Sequence, residues 1–263
     1  MESEIQWIDQ RTFDLGGVRF HLDLSRERPG SSDQLVLMKD RALVESYQKL
    51  LDSTRVKRVV EMGIWGGGST VFFERLLKPE KLLAIDRAVD RVRILDQYIE
   101  RLQLQSVVSC HYGLWQEQTT RLTNTIEAEF GSGGIDLIVD DASHLLDQTR
   151  ASFNCLFPRL TPGGLYIVED WGWAHWAGHY QEGQWAEREP LTSLIFQVVM
   201  VVASFRQIIS SVRVEPGFVA IERGPAAINP NGFDVARFCR TSGKTFSWVR
   251  AAETTETDVQ ERI

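Results

Sequence analysis

Val59-Val60-Glu61-Met62-Gly63-Ile64-Trp65-Gly66-Gly67-Gly68-Ser69-Thr70 is the stretch that decides the fold of this chain. An apolar run closes on an acid, passes into a glycine-rich turn and reaches a Ser-Thr pair able to cap a helix. Strand, tight loop and helix N-terminus in that order form the place where an α/β sheet holds a nucleotide-like ligand. Glycine suits the turn because it accepts positive φ and lets a ligand approach the main chain.

The glycine spacing discriminates between cofactors. A dinucleotide fingerprint needs G-x-G-x-x-G. Counted from Gly63 the third position is Trp65, and counted from Gly66 the sixth is Val71, so neither start fits. The pattern present is acid-x-Gly-x-x-x-Gly, from Glu61 through Gly63 to Gly67, and it resembles the first motif of class I S-adenosylmethionine methyltransferases. An acid there suits a ligand carrying an ammonium group and would repel a pyrophosphate. An ordinary structural βα turn is the alternative.

Working outward, the next segments alternate regularly. Apolar strands are expected at 58–62, 81–85, 106–111, 135–139 and 165–168, with helices from about 69, over 89–102, 116–130 and 145–160 between them. Short, nearly continuous apolar strands separated by helices imply a parallel sheet covered on both faces. Ile208 to Val214, a Glu215-Pro216-Gly217 turn and Phe218 to Glu222 read as a closing antiparallel hairpin. Upstream, Thr12 to Leu15, Gly16-Gly17 and Val18 to Leu22 read as another hairpin. The spacing of Leu35, Met38, Ala42, Val44 and Leu50 predicts an amphipathic helix over 33–53. The expected fold class is α/β: a Rossmann-like, mostly parallel seven-stranded sheet with a C-terminal antiparallel hairpin and an N-terminal hairpin and helix extension. The expected division is 1–55 for the extension, 56–225 for the core, and 226–263 for a C-terminal extension with a frayed end.

Composition sets the bounds. The chain has 263 residues, 43% hydrophobic and 25% charged, ordinary values for a globular protein. A net charge of -7 argues against a nucleic-acid surface, which needs a basic stripe. Three cysteines, Cys110, Cys155 and Cys239, read as reduced thiols in a cytoplasmic setting. The N-terminal residues lack the basic start and apolar core of a signal peptide, and the apolar 191–205 segment is too short to span a bilayer. That segment is a candidate contact in a homo-oligomer.

Chemistry concentrates at the expected strand ends. Asp86, closing the second core strand, is placed to accept both ribose hydroxyls of an adenosyl group. Asp140-Asp141-Ala142-Ser143-His144 and Glu169-Asp170 close two strands that should be neighbours. Four carboxylates crowded there repel one another unless their pKa values rise or a cation binds. Oxygen-only ligands favour a hard ion such as Mg²⁺. His144, three residues beyond Asp141, can reach the same place, and a neutral imidazole accepts a hydroxyl proton near pH 7. Trp171, Trp173, Trp176 and Trp185, mixed with His175, His179 and glycines, read as a substrate lid over about 171–190.

Asp140-Asp141-Ala142-Ser143-His144, followed by Pro162-Gly163-Gly164-Leu165-Tyr166-Ile167-Val168-Glu169-Asp170, resembles the metal-dependent sugar O-methyltransferases of antibiotic biosynthesis, the macrocin and mycinamicin deoxysugar enzymes with their "cephalosporin hydroxylase" relatives. It is also similar to the 1-O-methyltransferase of methylmannose polysaccharide synthesis. The resemblance covers about residues 56–223. It implies S-adenosylmethionine and Mg²⁺ as cofactors, with Asp141, Glu169 and Asp170 holding the ion, His144 as base and Asp141 beside it. Cofactor contacts are expected from Glu61, Gly63, Gly67, Ser69, Asp86, Asp140 and Trp115, and acceptor contacts from Trp171, Trp173, His175 and Trp176. The pattern departs at the third core strand, where relatives carry Gly-Asp-Gln and this chain has Gly113-Leu114-Trp115-Gln116, so Trp115 is the candidate to stack on adenine.

The expected reaction is transfer of a methyl group from S-adenosylmethionine to a hydroxyl of a sugar or oligosaccharide. Two readings compete: a phenol or catechol O-methyltransferase, since flat aromatics also suit a tryptophan lid, and a non-catalytic adenosyl-binding protein.

Overall fold

Alternation along the central strands sets the layers. In β5 (Arg58–Met62), Val60 and Met62 enter one buried cluster and Val59 the other. In β6 (Lys81–Ile85), Leu83 and Ile85 follow the first pair, and Leu82 and Ala84 follow Val59. Successive side chains of a strand point to opposite faces, so a strand buried on both sides must be apolar throughout. The computed structural model describes residues 4–25, 30–31, 34–52, 54–131 and 133–239.

The main sheet has seven strands. β7 (Val108–His111), β8 (Ile135–Asp140) and β9 (Leu160–Glu169) join β5 and β6, and β10 (Ile209–Val214) and β11 (Phe218–Arg223) complete it. Their order is β10-β11-β9-β8-β5-β6-β7. β5 through β9 run parallel, while β11 pairs antiparallel with both β9 and β10. The expected mostly parallel sheet with a terminal antiparallel hairpin is therefore present.

One face carries α4 (Thr119–Phe130), α5 (Leu146–Leu156) and α6 (Thr192–Ser204), packed through Leu122, Phe153 and Val198. The other carries α1 (Arg41–Leu51), α2 (Gly68–Leu77) and α3 (Arg93–Arg101), packed through Tyr47, Phe72 and Leu95. On that second face lies a smaller sheet in the order β1 (Ile5–Trp7), β2 (Thr12–Leu15), β3 (Val18–Leu22), β4 (Leu35–Leu37). Phe13 and Phe20 stack on each other, with ring centroids 5.0 Å apart, and both meet Phe72 edge-on. The extension thus shares a core with the main sheet.

Three sequence expectations change. The helix predicted over 33–53 is a strand followed by a helix: Leu35 and Leu37 are buried with Val36 less so, the period of a strand, and β4 pairs parallel with β3. α1 begins only at Arg41, because the Asp40 carboxylate accepts from the Leu43 amide at 2.7 Å and fixes its first turn. Asp33 and Ser53, the ends of the predicted helix, lie outside the described residues, as does the C-terminal end expected to fray. Second, α2 is capped by Gly67 in the left-handed conformation, not by Ser69 or Thr70. Third, the helix predicted to reach 160 ends at Leu156, and β9 begins at Leu160, so Pro162-Gly163-Gly164 lies inside the strand. Among the described residues no helix is long and apolar enough to cross a membrane.

Candidate active site

The loop after β5 and the ends of β6 and β8 enclose a cavity of about 550 Å³. Gly63 to Gly66, Asp86, Leu114 to Glu117 and Asp141 to Leu145 line it, and Trp185 and Arg188 reach in from the segment after β9. Its size suits a small organic ligand, and its position outside the carboxyl ends of parallel strands is where such sheets bind one. A larger cleft of about 870 Å³ lies by the N-terminal hairpin and α3, and its described lining has no carboxylate, histidine or cysteine.

The glycine loop has two separate reasons for its composition. Gly63 and Gly67 have φ of +103° and +81°, as the turn requires. A Cβ on Gly63 would lie 2.1 Å from the Asp141 carbonyl oxygen, so that glycine admits the neighbouring chain and not a ligand. Gly66 is the one open to the cavity: a Cβ there would meet nothing within 4 Å. Gly67 packs against Leu95 and is not in the cavity wall.

Glu61 is buried and absent from the cavity lining. Its Oε2 accepts from the Thr70 hydroxyl at 2.6 Å, tying β5 to α2, whereas Oε1 has no hydrogen-bond partner among the described residues. Burial pushes its carboxyl up to about 7, against the hydroxyls of Ser69 and Thr70. Ser69 itself lines the cavity. Asp86 reaches the cavity with Oδ2 accepting from the amides of Ile64 and Trp65 and Oδ1 from that of Ala88. A carboxylate has about four acceptor positions, so these three bonds leave about one for a ligand hydroxyl. Trp115 is 44% exposed on the cavity wall, with the Arg87 guanidinium 5.5 Å from its ring centre.

The two acidic pairs split. Asp140 faces α5 and is sealed: its oxygens accept from Gln116 Nε2 at 2.7 Å, and from the Ser152 and Tyr166 hydroxyls at 2.6 Å each. The structure does not bring it to the cavity, contrary to its expected cofactor role, and burial pushes its carboxyl up. Glu169 is also sealed, on the α1 side, where Lys39 donates to Oε1 at 2.7 Å and to Oε2 at 2.6 Å, and Tyr47 donates to Oε1 at 2.6 Å. The same ammonium donates to Asp141 Oδ2 at 2.8 Å. Burial opposes the charge on Lys39, but Asp141 and Glu169 outweigh it and hold the ammonium above its ordinary range.

Among the described residues, Asp141, His144 and Asp170 form a group able to hold a metal ion, their ligand atoms lying within 4.8 Å of one another. His144 Nε2 is 3.8 Å from both Asp141 Oδ1 and Asp170 Oδ2. Two carboxylates suit Mg²⁺, which completes its shell with water and substrate oxygens. The structure thus gathers Asp141 and Asp170 of the expected metal set with the expected base, and turns Glu169 toward Lys39. Trp65, His144 and Asp170 have φ of 48°, 56° and 50°, a conformation costly for residues with a Cβ. Such strain persists where surrounding structure holds it. Trp173 supplies part of the hold, donating from Nε1 to the His144 carbonyl at 2.8 Å.

The tryptophan segment differs from the expected lid. Trp173 is core, 2% exposed, and packs edge-on against Trp185 with ring centroids 4.9 Å apart. Trp171 donates to the Glu215 carbonyl at 2.9 Å, and His175 bonds Thr192 at 2.6 Å. None of Trp171, Trp173, His175 and Trp176 lines the cavity; Trp185 and Arg188 do, with the guanidinium 5.3 Å from the indole centre. Trp185 was visible in the tryptophan cluster, but Arg188 and Lys39 carried no signal in the one-dimensional pattern.

Residues 60–171 match the family model described as a methyltransferase domain. Among curated proteins, the chain is 28% identical over 129 residues to the mycinamicin VI 2''-O-methyltransferase of Micromonospora griseorubida, covering 46% of this chain and 29% of that protein. It is 30% identical over 129 residues to the demethylmacrocin O-methyltransferase of Streptomyces fradiae, again covering 46% of this chain and 29% of the other. The match therefore spans less than a third of these relatives. Among solved structures, the MycE methyltransferase in complex with Mg, SAH and mycinamycin VI superposes with a TM-score of 0.53 at 21% identity, covering 78% of this chain and 51% of that one. A putative caffeoyl-CoA O-methyltransferase from Staphylococcus aureus gives a TM-score of 0.52 at 16% identity, covering 72% and 86%. The strand order and the solved structures agree on a class I methyltransferase fold, within which residues 60–171 are similar to a methyltransferase domain.

Proposed function

We propose that this protein is an S-adenosylmethionine-dependent O-methyltransferase acting on a sugar hydroxyl, assisted by Mg²⁺ and using His144 as the base. The observation that carries the reading is that Asp170 converges on Asp141 and His144, which line a cavity also walled by the glycine loop and Asp86. A further relative, 32% identical over 129 residues and named as the 8-demethyl-8-alpha-L-rhamnosyl tetracenomycin-C 2'-O-methyltransferase of Streptomyces olivaceus, supports the acceptor class.

The cavity fits the cofactor. Asp86 offers acceptor capacity for the ribose, Gly66 leaves the loop open, and Trp115 presents an exposed ring for adenine. Asp141 and Asp170 are the residues that would hold Mg²⁺, which as a Lewis acid stabilises a forming alkoxide and orients the acceptor. A sugar hydroxyl is a poor nucleophile near pH 7, so its proton must leave as the methyl arrives. His144 Nε2 is placed to take that proton; S-adenosylmethionine, when bound, would supply the methyl group to the hydroxyl oxygen and leave as the neutral thioether. Nε2 lies 3.8 Å from a carboxylate oxygen of each of Asp141 and Asp170, which places the ring beside the residues that would hold the ion. The indole of Trp185 and the guanidinium of Arg188 close the acceptor side, an aromatic face and a donor fork suited to a hydroxylated ring.

The test is methyl transfer from labelled cofactor to a panel of deoxysugar, mannoside and catechol acceptors, with Mg²⁺ and with excess chelator. Transfer to a sugar that chelator suppresses is expected. Transfer to the catechol alone identifies a phenolic enzyme, and cofactor binding without transfer to any acceptor rejects catalysis.

A further inference from the structure

The ammonium of Lys39 lies where two of the strand-end carboxylates converge. Its three N–H groups match three oxygens: Glu169 Oε1 and Oε2 at 2.7 and 2.6 Å and Asp141 Oδ2 at 2.8 Å. The side chain is 2% exposed yet belongs to the cavity wall. Its position is enforced from both sides in sequence. The preceding residue, Met38, directly follows β4, whose Val36 carbonyl sits so near α2 that a Cβ on Gly68 would lie 2.0 Å from it. The following residue, Asp40, caps α1. Tyr47, two turns along α1, adds a third donor to Glu169. A long flexible side chain has been given a single place.

A Mg²⁺ ion bound by Glu169 would need oxygens at about 2.0–2.1 Å. Any point so close to Glu169 and to Asp141 Oδ2 is taken by the Lys39 nitrogen, and like charges exclude each other there. Asp141 Oδ1 points the other way, toward His144.

We propose that Lys39 is the resident cation of this centre: it withholds Glu169 from the coordination set, so a divalent ion binds through Asp141 and Asp170 and more weakly than three carboxylates would allow. The inference rests on Asp141 and Asp170 being the metal residues of the function proposed above. Lys39 is a positioning residue, acting through the carboxylates it holds.

Titration of the 263-residue chain with Mn²⁺, followed by the loss of the free-ion EPR signal, tests this without cofactor or acceptor. Lys39→Met should bind Mn²⁺ about tenfold or more tightly than wild type, because Glu169 becomes a ligand. The double variant Lys39→Met/Glu169→Gln should return to wild-type affinity. Near-UV circular dichroism establishes that each variant is folded; should Lys39→Met not fold, Lys39→Leu, which likewise removes both the charge and the donor to Glu169, is read in the same way. Unchanged or weaker Mn²⁺ binding in the folded variant overturns the proposal. So does a wild-type background in which Glu169→Gln costs as much affinity as Asp141→Asn, because Glu169 would then already be a ligand. Tightening without methyl transfer to any acceptor sinks the enzymatic reading alone; sugar methylation without tightening sinks only the role of Lys39.

Discussion

Gly63→Ala is the sharpest probe of how the cofactor loop and the acidic strand end are joined. Two costs can be worked from the geometry. The φ of +103° is sparsely populated for a residue with a Cβ, at about 1–3 kcal/mol. The added carbon would sit 2.1 Å from the Asp141 carbonyl oxygen and 2.9 Å from its carbon, where ordinary contact begins at 3.4 Å. The β5 and β8 loops would therefore separate by roughly 1.3 Å, and overpacking of that kind costs about 1–3 kcal/mol. Together these give about 2–6 kcal/mol, or a melting temperature lower by roughly 5–20 °C in a chain of this size. The displacement falls on the backbone of Asp141, so affinity for S-adenosylhomocysteine and for Mn²⁺ should fall together. Gly66→Ala is the internal control: its Cβ meets nothing within 4 Å, so stability should stay within about 0.5 kcal/mol. A ligand lying against the loop would still lose affinity there. Scanning fluorimetry and calorimetric titration read both variants. Gly63→Ala melting within about 2 °C of wild type with unchanged ligand affinity would refute the argument.

His144→Ala should lower the rate of methyl transfer about 10²–10⁴-fold while cofactor binding persists, and a rate within tenfold of wild type would remove the imidazole from proton transfer. Trp173→Phe deletes the donor to the His144 carbonyl and leaves that acceptor unpaired, at about 1–3 kcal/mol in stability. Its turnover should fall more than its cofactor affinity; an equal loss of both would point to general unfolding. Glu129 joins α4 to β6 and β7 through Lys81, Ser109 and His111. Burial alone would raise its carboxyl, but those three partners outweigh burial and hold it down to about 2. A depressed carboxylate stabilises the fold above its ordinary range near 4.5 and stops doing so as pH falls toward 2. Glu129→Gln should therefore cost about 1–2 kcal/mol at pH 7, after allowing for solvent screening, with the difference from wild type shrinking by pH 3. A difference equal at both pH values contradicts that electrostatic origin.

The sheet was legible because its strands are apolar on both faces, which leaves little else they could be. β4 was not, since Leu35, Met38 and Ala42 mimic helical spacing over a stretch too short to show its strand period. The acidic pairs were read as four converging carboxylates, yet the period of two along a strand sends neighbours opposite ways. Asp140 goes to α5, Glu169 to α1, and only Asp141 and Asp170 approach His144. That Asp140 and Glu169 face opposite ways was available from the register, in which Asp140 pairs with Val168; the meeting of Asp141 with Asp170 was not, because both lie past their strand ends and Asp170 has left the extended conformation. Lys39 was not: nothing adjacent to it distinguishes a lysine that turns inward from one in solvent, because its partners lie 102 and 130 residues away. Trp173 misled for the opposite reason, being an apolar anchor inside a polar, glycine-rich segment.

The small N-terminal sheet and α1 look like an ornament on a complete α/β unit, since the seven-stranded sheet begins only at Arg58. Through Lys39 and Tyr47 they are also the counter-charge for its acidic floor. A version shortened to the larger sheet would retain each of those seven strands while leaving Glu169 in an apolar interior with no donor from that side, an arrangement chains avoid by protonating the acid or unfolding around it. Grafting this core onto a different leader, in an engineered or a natural lineage, would therefore demand a replacement cation in the same move.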